Sequence, residues 1–413
     1  MSRNETDRRT FLTRSAGVLA GMTILPSSVF AFDFRRAGLR VALIGAGRQG
    51  RAIMGELEKI EGVELAAVCD VDDRRLDAGL RRTRDAKGFA SVDQLLNDGG
   101  SFDAVFVATP THTHREVAEA CIQAGHNVYC EAPMEATLEA ASALARAARH
   151  SGRVFQVGLD ARSNPVYQLA RSFFRSDAVR DVVNVAAQHH RKTSWRTPAG
   201  DPARERALNW VLDPEVSLGL AGEWGTHQFD TVAWFMGRYP SKVRGIGSIR
   251  LHNDGRTMPD TIACQLIYQD GVVMSYDATL ANSYGGRFET LFGTNAAIKL
   301  AQTHAWMFKE ADAPTQGWEV YANRQQFHND EGITLIAGAT KLAEQGKLRE
   351  GVGLPNPPLY YAIGDFLKSV SEGAEVACSA EEGYRSTVIG IKAAQAVASG
   401  EEVSIDEADL RIG

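Results

Sequence analysis

A glycine-rich run, Gly45-Ala46-Gly47-Arg48-Gln49-Gly50, follows the apolar stretch from Arg40 to Gly45 and opens a helical pattern that extends to Ile60. This strand, turn and helix context makes the G-x-G-x-x-G spacing a specific signal for a phosphate-binding turn. The three glycines allow the tight turn, the approach of a pyrophosphate to the backbone, and close packing of helix on strand. The run therefore predicts a dinucleotide site that includes Gly45, Gly47, Arg48, Gln49 and Gly50.

Asp70 ends the second apolar strand, Val63 to Cys69, at the distance from the glycines where a ribose-binding acid is expected. A carboxylate at this position accepts hydrogen bonds from a ribose diol and repels a 2'-phosphate. The sequence therefore favours NAD, with NADP as the alternative because Arg74 and Arg75 are close by. A glycine-rich turn in an unliganded α/β fold is the other interpretation of these residues.

Apolar strands alternate with helical stretches from Leu39 to Val157, which predicts a doubly wound parallel sheet, a Rossmann domain over residues 38–158. Beyond Gly158 the apolar segments alternate with polar residues and are joined by short turns such as Gln269-Asp270-Gly271. This pattern predicts a C-terminal α/β domain over residues 159–413 with an open, mainly antiparallel sheet. Loops and a short helix are expected between Pro314 and Pro358.

The third strand of the first domain runs into Thr109-Pro110-Thr111-His112-Thr113-His114. The carboxyl edge of a parallel sheet is where ligands of open α/β folds bind. We therefore expect Thr109, Pro110 and His114 to shape a nicotinamide pocket. The His112 and His114 pair could bind a metal ion, but no third ligand is evident, so we expect no metal.

The N-terminal segment has the pattern of a targeting signal. Arg8-Arg9-Thr10-Phe11-Leu12 resembles a twin-arginine export signal, with Asp7 where Ser or Thr is usual, and Val29-Phe30-Ala31 resembles a cleavage site. Residues 1–31 are thus expected to be a signal peptide and the protein to be exported or periplasmic. An amphipathic helix of the folded protein is the alternative. The apolar run is interrupted by Pro26 and is too short for stable membrane insertion.

The composition excludes several classes of protein. Lys and Arg number 45 against 51 Asp and Glu, a formal charge of -6, and no basic cluster is present, so nucleic acid is not an expected partner. The five cysteines are odd in number and lack a C-x-x-C pair. They predict buried thiols, and neither a zinc site nor a disulfide framework.

The glycine run, Asp70, Thr109-Pro110 and Tyr129-Cys130-Glu131-Ala132-Pro133-Met134 occur in this order. With these motifs the chain resembles the Gfo/Idh/MocA oxidoreductase family, which includes glucose-fructose oxidoreductase and inositol dehydrogenase. The resemblance implies a Rossmann domain and an α/β domain whose open sheet carries the substrate pocket and supports a homodimer or homotetramer. In the family an E-K-P motif places its glutamate on the cofactor ribose and its lysine on the substrate hydroxyl. Here Glu131 is present but Ala132 replaces the lysine.

The family's second motif, an acid four residues before a histidine, corresponds to Glu223 and His227. The family usually has Asp at the position of Glu223. If the segment is an α-helix, Glu223, His227 and Asp230 lie on one stripe. His227 is then a candidate general base that the neighbouring carboxylates orient. A histidine held structurally by its own helix is the alternative interpretation.

Further residues are candidates for substrate contact. Arg162 matches a family position after the last Rossmann strand, and Lys192 could replace the missing amine, although basic clusters are commonly solvated surface. Trp195, Trp210 and Tyr284 are candidates for stacking on a sugar ring, and Asp230 for binding its hydroxyls.

Three functions remain open from sequence. The first is an NAD(P)-dependent oxidoreductase that acts on a sugar, polyol or glycoside by hydride transfer, with His227 as base. The second is a redox-neutral NAD-dependent glycoside hydrolase or lyase, working by oxidation, elimination and re-reduction. Export favours this function because a cofactor outside the cytoplasm has to be tightly bound and regenerated in place. The third is a catalytically inactive sugar-binding protein.

Overall fold

The computed structural model describes residues 31–83, 85–317, 319, 322–328, 330–339, 342 and 352–413. Except for Ala31, the expected signal peptide lies outside these residues. Two sheets organise the described chain, and the first has six parallel strands in the order β3-β2-β1-β4-β5-β6. These strands are β1 Leu39–Ile44, β2 Val63–Cys69, β3 Lys87–Phe89, β4 Ala104–Val107, β5 Asn127–Cys130 and β6 Phe155–Val157.

This strand order is that of a doubly wound dinucleotide fold, and it confirms the predicted parallel sheet. The order reverses between β1 and β4, so a crevice opens at their carboxyl ends. Strand β4 is buried along its whole length and β1 at all but one residue, since helices cover both faces of the sheet. The helices of this part are α1 Arg48–Leu57, α2 Asp73–Leu80, α3 Val92–Asp98, α4 His114–Gln123 and α5 Leu138–His150.

The second sheet has ten strands within the described residues, in the order β14-β15-β13-β12-β11-β7-β10-β9-β8-β16. Only the β7 and β10 pair is parallel among the strand pairs described in this sheet, so the prediction of a mainly antiparallel sheet is confirmed. Its strands are β7 Val182–His190, β8 Lys242–Ser248, β9 Thr261–Ile267, β10 Val273–Thr279, β11 Arg287–Gly293, β12 Ala296–Ala301, β13 His304–Lys309, β14 Arg324–Phe327, β15 Asp330–Thr334 and β16 Val403–Ser404.

One face of this sheet is covered and the other is open. Burial alternates along β8, β9 and β10, as expected when helices pack on one side only. The helices that follow the Rossmann part are α6 Pro165–Arg175, α7 Pro202–Leu208, α8 Gly225–Met236, α9 Pro358–Glu372 and α10 Ala380–Ser399. Val183, Ile246 and Phe292 are exposed apolar residues of the sheet.

The region from Pro314 to Pro358 differs from the expectation of loops and a short helix. Within its described residues, β14 and β15 form an antiparallel hairpin that extends the sheet edge beside β13. The first of these strands reads Arg-Gln-Gln-Phe, so it lacks the apolar pattern that marks a strand. Pairing with an existing edge, rather than hydrophobic periodicity, accounts for this element.

Helix α9 returns from the second part of the chain to pack on the Rossmann sheet. Phe366 contacts the rings of Phe106 and Tyr129 at centroid distances of 5.4 and 5.6 Å. The Ala362 carbonyl accepts a hydrogen bond from Gln156 at 2.9 Å. The Rossmann core therefore includes residues far beyond position 158, which a linear domain boundary does not capture.

All five cysteines are free and buried, as the sequence predicted. Within the described part of the chain, no helix is both long enough and apolar enough to cross a membrane.

Candidate active site

The glycine run forms the turn from β1 to α1, and the backbone geometry of this turn explains why two of its positions have to be glycine. Gly45 has a φ of +96°, and a Cβ there would lie 2.5 Å from the Ala108 carbonyl oxygen. A Cβ at Gly50 would lie 1.8 Å from the Gly45 carbonyl oxygen. Gly47 differs, because a Cβ there would meet only the Arg75 guanidinium, at 3.7 Å. The backbone at Gly47 is thus open to an approaching phosphate.

Positive charge gathers around this turn. Partial desolvation lowers the pKa of Arg48, the first residue of α1. Three further guanidinium groups lower it as well, those of Arg191, Arg51 and Arg75. Such a group of like charges at a helix N-terminus is stabilised by an anion. The residues therefore fit the pyrophosphate of a dinucleotide.

Asp70 lies at the carboxyl end of β2, where the sequence placed a ribose-binding acid. Its carboxylate accepts hydrogen bonds from the Ala46 amide at 2.7 Å and the Asp72 amide at 2.8 Å. Burial raises the pKa of Asp70, and these two amides lower it. The next residue, Val71, is 84% exposed, which leaves an apolar surface beside the acid.

Glu131 lies at the end of β5 and meets the glycine turn through a side chain. Its Oε1 accepts a hydrogen bond from Gln49 at 2.9 Å. Burial raises the pKa of Glu131 to about 8, the bond from Gln49 lowers it, and the charge of Asp160 raises it. Glu131 therefore holds a proton through most of the neutral range. Gln49 and Glu131, both expected to bind cofactor, are brought together.

His114 connects the loop after β4 to the segment after β5. Its ring nitrogens lie 2.9 Å from the carbonyl oxygens of Pro133 and Thr109. Burial lowers the pKa of His114 to about 4, so the ring is neutral at neutral pH. His114 thus fixes the loop that contains Thr109 and Pro110, and neither nitrogen is free for a metal. Among the described residues, no cluster of three or more His, Cys, Asp or Glu side chains could hold a metal ion.

The motif around His227 does not begin as an α-helix. Residues Leu220–Trp224 form a π-helical turn, a feature frequent at functional sites, and α8 starts only at Gly225. Glu223 consequently accepts hydrogen bonds from the Thr111 hydroxyl at 2.8 Å and the Leu218 amide at 3.2 Å. Burial raises the pKa of Glu223 to about 7. The expected orientation of His227 by Glu223 is therefore replaced by a contact between Glu223 and the β4 loop.

His227 is half-buried and lies among charged groups from other elements. Burial lowers its pKa, as does the charge of Arg287. Three groups act in the opposite direction and raise it, namely Asp160, Asp230 and the Ala132 carbonyl, which forms a hydrogen bond with the ring. The buried Nδ1 has no hydrogen-bond partner among the described residues. A neutral imidazole in this setting can accept a proton.

Asp160 is a functional candidate that the sequence analysis missed. It starts the 3-10 turn after β6, at the carboxyl edge of the Rossmann sheet. Its Oδ1 lies 3.9 Å from Arg287 Nη2, and its charge acts on both Glu131 and His227. The position itself was a usable signal, since acids at this sheet edge face the ligand crevice.

Arg162 and Asp230, both expected to contact substrate, are instead paired with each other. Arg162 donates to the Asp230 carboxylate from Nε at 3.0 Å and from Nη2 at 2.9 Å. Their side chains are 4% and 0% exposed. Arg162 also contacts Glu382, and Asp230 accepts a hydrogen bond from Ser386 at 2.7 Å. Their charged groups are buried against each other, which gives the pair a structural role, and the expected substrate contact stays a prediction.

The lysine and the aromatic residues that were candidates for substrate contact do not lie together in the structure. Lys192 is exposed, and Tyr284 is 87% exposed on the loop between β10 and β11. Trp195 is buried edge-on against Trp224, at a centroid distance of 5.1 Å. Trp210 contacts the His112 ring at 5.8 Å, beside the β4 loop. Of these four residues, the structure brings only Trp210 directly to that loop.

Comparison with known proteins agrees with this geometry. Residues 39–159 match the model of an oxidoreductase family with an NAD-binding Rossmann fold, and residues 184–405 match its C-terminal alpha/beta domain. The chain is therefore an oxidoreductase with an NAD-binding domain. It belongs to the Gfo/Idh/MocA family.

Relatives match over different shares of the chain. Inositol 2-dehydrogenase of Acidothermus cellulolyticus is 28% identical over 266 residues, 64% of this chain and 73% of that protein. Myo-inositol 2-dehydrogenase of Thermotoga maritima is 23% identical over 373 residues, 89% of this chain and 99% of that protein. Levoglucosan dehydrogenase in complex with NADH and levoglucosan has the same fold, with a TM-score of 0.70 at 20% identity, covering 89% of this chain and 99% of the other.

Proposed function

We propose that this chain is an NAD-dependent dehydrogenase that oxidises a secondary hydroxyl of a cyclic polyol or sugar. The observation that carries the proposal is the position of His227 beside the Ala132 carbonyl and within reach of the Asp160 charge, at the edge of an NAD-binding sheet. Relatives named inositol and levoglucosan dehydrogenases support this class of substrate.

Oxidation of an alcohol removes a hydride from carbon and a proton from oxygen. When bound, the nicotinamide supplies the hydride acceptor. His227 accepts the hydroxyl proton, because burial keeps its imidazole neutral near pH 7. Asp160 then stabilises the imidazolium that forms, and Arg287 Nη2 lies 3.9 Å from the Asp160 carboxylate.

The two other acids near this site are only partly ionised at neutral pH. The pKa of Glu131 is about 8 and that of Glu223 about 7, both raised by burial. Glu131 lies at the cofactor site and accepts a hydrogen bond from Gln49. Glu223 accepts a hydrogen bond from Thr111 and so links the π-helical turn before α8 to the loop after β4. Asp160 is therefore the acid whose negative charge makes His227 more basic.

A second candidate is redox-neutral cleavage of a glycoside with a retained NAD, and it is favoured by Ala132. Without the lysine amine, His227 is left to remove a proton from the C–H next to a transient ketone. The N-terminal segment favours the same function, because an exported protein has to carry its cofactor. We propose export by the twin-arginine route, and a homodimer or homotetramer that covers the open sheet face around Val183 and Ile246.

Two measurements test these functions. Purified protein is first denatured and its released nicotinamide counted by mass spectrometry. A separate sample of native protein is incubated with NAD and with myo-inositol, levoglucosan, glucose or methyl glycosides, and both NADH and cleaved alcohol are followed. NADH formation supports the dehydrogenase, and near-stoichiometric bound NAD with alcohol release and no net NADH supports the second candidate.

His227→Ala is expected to abolish either turnover while NAD stays bound. His150→Ala, an exposed histidine at the end of α5, is the matched control and retains activity. Turnover that survives in His227→Ala overturns the assignment of the base. A protein that binds sugar but turns over none of these compounds is the inactive binding protein.

A further inference from the structure

A segment of the second domain crosses the carboxyl edge of the Rossmann sheet. We call residues 196–214 the strap; it contains α7 and the 3-10 turn Trp210–Leu212 and lies between β7 and α8 in the chain. Among the described residues, an ion pair and a ring contact join it to the Rossmann domain. Arg204 is paired with Asp72, and Trp210 packs on His112.

The first contact lies at the adenosine end of the cofactor site. Arg204 Nε and Nη2 donate to the Asp72 carboxylate at 2.5 and 3.1 Å. The Asp72 amide in turn donates to Asp70, the ribose-binding candidate, at 2.8 Å. Val71 between them presents the exposed apolar surface on which an adenine ring can rest. Arg204 is therefore brought from the second domain to the rim of the adenosine site.

The second contact lies at the other end of the same sheet edge. Trp210 meets His112 in the loop after β4, at a centroid distance of 5.8 Å. Strand β1, which leads into the glycine turn, lies between β2 and β4 in the sheet. The strap thus spans the sheet edge along which a dinucleotide extends, from the ribose-binding candidate Asp70 to the loop after β4 that is expected to shape the nicotinamide pocket.

The strap is held in shape by its own hydrogen bonds. Asn209 accepts from the Thr197 amide at 2.6 Å and donates to its carbonyl at 2.9 Å. Glu205 accepts from Arg196 at 2.7 Å, and Asp201 caps α7 through the Arg204 amide at 2.7 Å. These bonds fix the shape of the strap internally, and its attachment at Asp72 is a separate contact.

We propose that the strap retains bound NAD in the Rossmann cleft and that Arg204 is its latch, which has to release Asp72 before the dinucleotide leaves. This inference rests on the NAD site and is independent of the substrate that the enzyme oxidises. It supplies a physical means for one polypeptide to keep its cofactor through many turnovers. Arg204 is a cofactor-retaining residue of the second domain and takes no part in the chemical step.

The test measures how fast NADH leaves the intact protein. Enzyme loaded with NADH is mixed with excess NAD, and the loss of bound NADH fluorescence gives the release rate. Arg204→Gln removes the latch, and Asp72→Asn removes its charge while retaining an acceptor that caps α2. Arg206→Gln is the matched control, because it changes an exposed arginine of the same helix that lines a cavity of about 570 Å³ with Arg256.

Both latch variants are expected to release NADH about 5-fold faster, the upper end for a partly exposed ion pair. The double variant should be no faster than either single variant, because both remove the same contact. Arg206→Gln should match the wild type. High salt should accelerate release from the wild type more than from Arg204→Gln.

A release rate for Arg204→Gln equal to that of Arg206→Gln overturns the latch. Additive effects of Arg204→Gln and Asp72→Asn overturn it as well. Thermal unfolding of each variant excludes a general loss of structure as the cause. Failure of the proposed dehydrogenase function gives a different result, namely normal NADH release with no oxidation of any polyol.

Discussion

Arg162 and Asp230 form a buried bidentate ion pair, with Nη2 of the arginine 2.9 Å from Oδ1 of the aspartate. The pair joins the 3-10 turn after β6 to α8, and Glu382 and Ser386 connect both to α10. Asp160 lies two residues before Arg162, and His227 lies three residues before Asp230. The ion pair is therefore the support that fixes the acid and the imidazole relative to each other.

Arg162→Met is predicted to lower the free energy of unfolding by about 3–5 kcal/mol, because it leaves the Asp230 charge buried without its partner. Urea unfolding of the purified variant measures the change. Arg180→Met, at a residue whose side chain is 61% exposed, is the control and should change it by less than about 0.5 kcal/mol. A raised KM with unchanged stability would instead restore Arg162 as a substrate contact.

Asp160→Asn is predicted to move the acid limb of the pH profile of kcat/KM to lower pH, by about one unit. His227 works as a base when neutral, so activity falls as the pH drops through its pKa. The Asp160 charge stabilises the imidazolium and raises that pKa, so its removal lowers the pKa further. The side-chain amide retains the size of the acid.

The measurement is kcat/KM from pH 4 to 8 for wild type, Asp160→Asn and Asp181→Asn, the last at a residue whose side chain is 81% exposed. If Asp160 has only a structural role, kcat/KM of Asp160→Asn is lower at every pH and the acid limb stays at the wild-type pH. A limb that moves to higher pH contradicts the electrostatic assignment.

Asp70→Ala is predicted to weaken NAD binding by about 10- to 100-fold, the effect of losing hydrogen bonds to a charged group. It should also relax discrimination against NADP, because Arg51 and Arg75 lie close enough to meet a 2'-phosphate once the carboxylate is gone. Titration with NADH and NADPH measures both effects. Asp73→Ala, at an exposed residue, is the control, and an unchanged preference in Asp70→Ala removes Asp70 from the ribose site.

The parts of the site that sequence predicted are those that local backbone chemistry determines. Gly45 and Gly50 are required by the turn itself, since a Cβ at either would overlap a carbonyl oxygen. Asp70 follows a buried strand at a fixed distance, so its place at the sheet edge follows from the strand pattern. Both are features of a single strand, turn and helix unit.

The parts that sequence missed depend on contacts between distant segments. Glu223 was expected to face His227 by α-helical spacing, but a π-helical turn changes that spacing. The Glu223 carboxylate instead accepts a hydrogen bond from the Thr111 hydroxyl. Arg162 has the chemistry of a ligand contact, and only packing against Asp230 shows its structural role. Asp160 carries no motif, and its importance comes from the charges that the fold brings around it.

Restoring the family's lysine with Ala132→Lys is predicted to raise kcat/KM for oxidation of simple polyols by about 10-fold or more, a gain smaller than the roughly 100- to 10,000-fold contribution of a fully positioned acid–base group. Ala132 is half-buried and its carbonyl adjoins His227, so an ammonium group there would lie near the reacting hydroxyl. Ala132→Met, which has similar length and no charge, is the matched control. NADH formation with myo-inositol is the measurement.

A gain confined to the lysine variant supports a dehydrogenase that has lost one proton-handling group and retains the rest. No gain in either variant means that the alanine belongs to a pocket built for different chemistry, and alcohol release from glycosides then becomes the decisive assay.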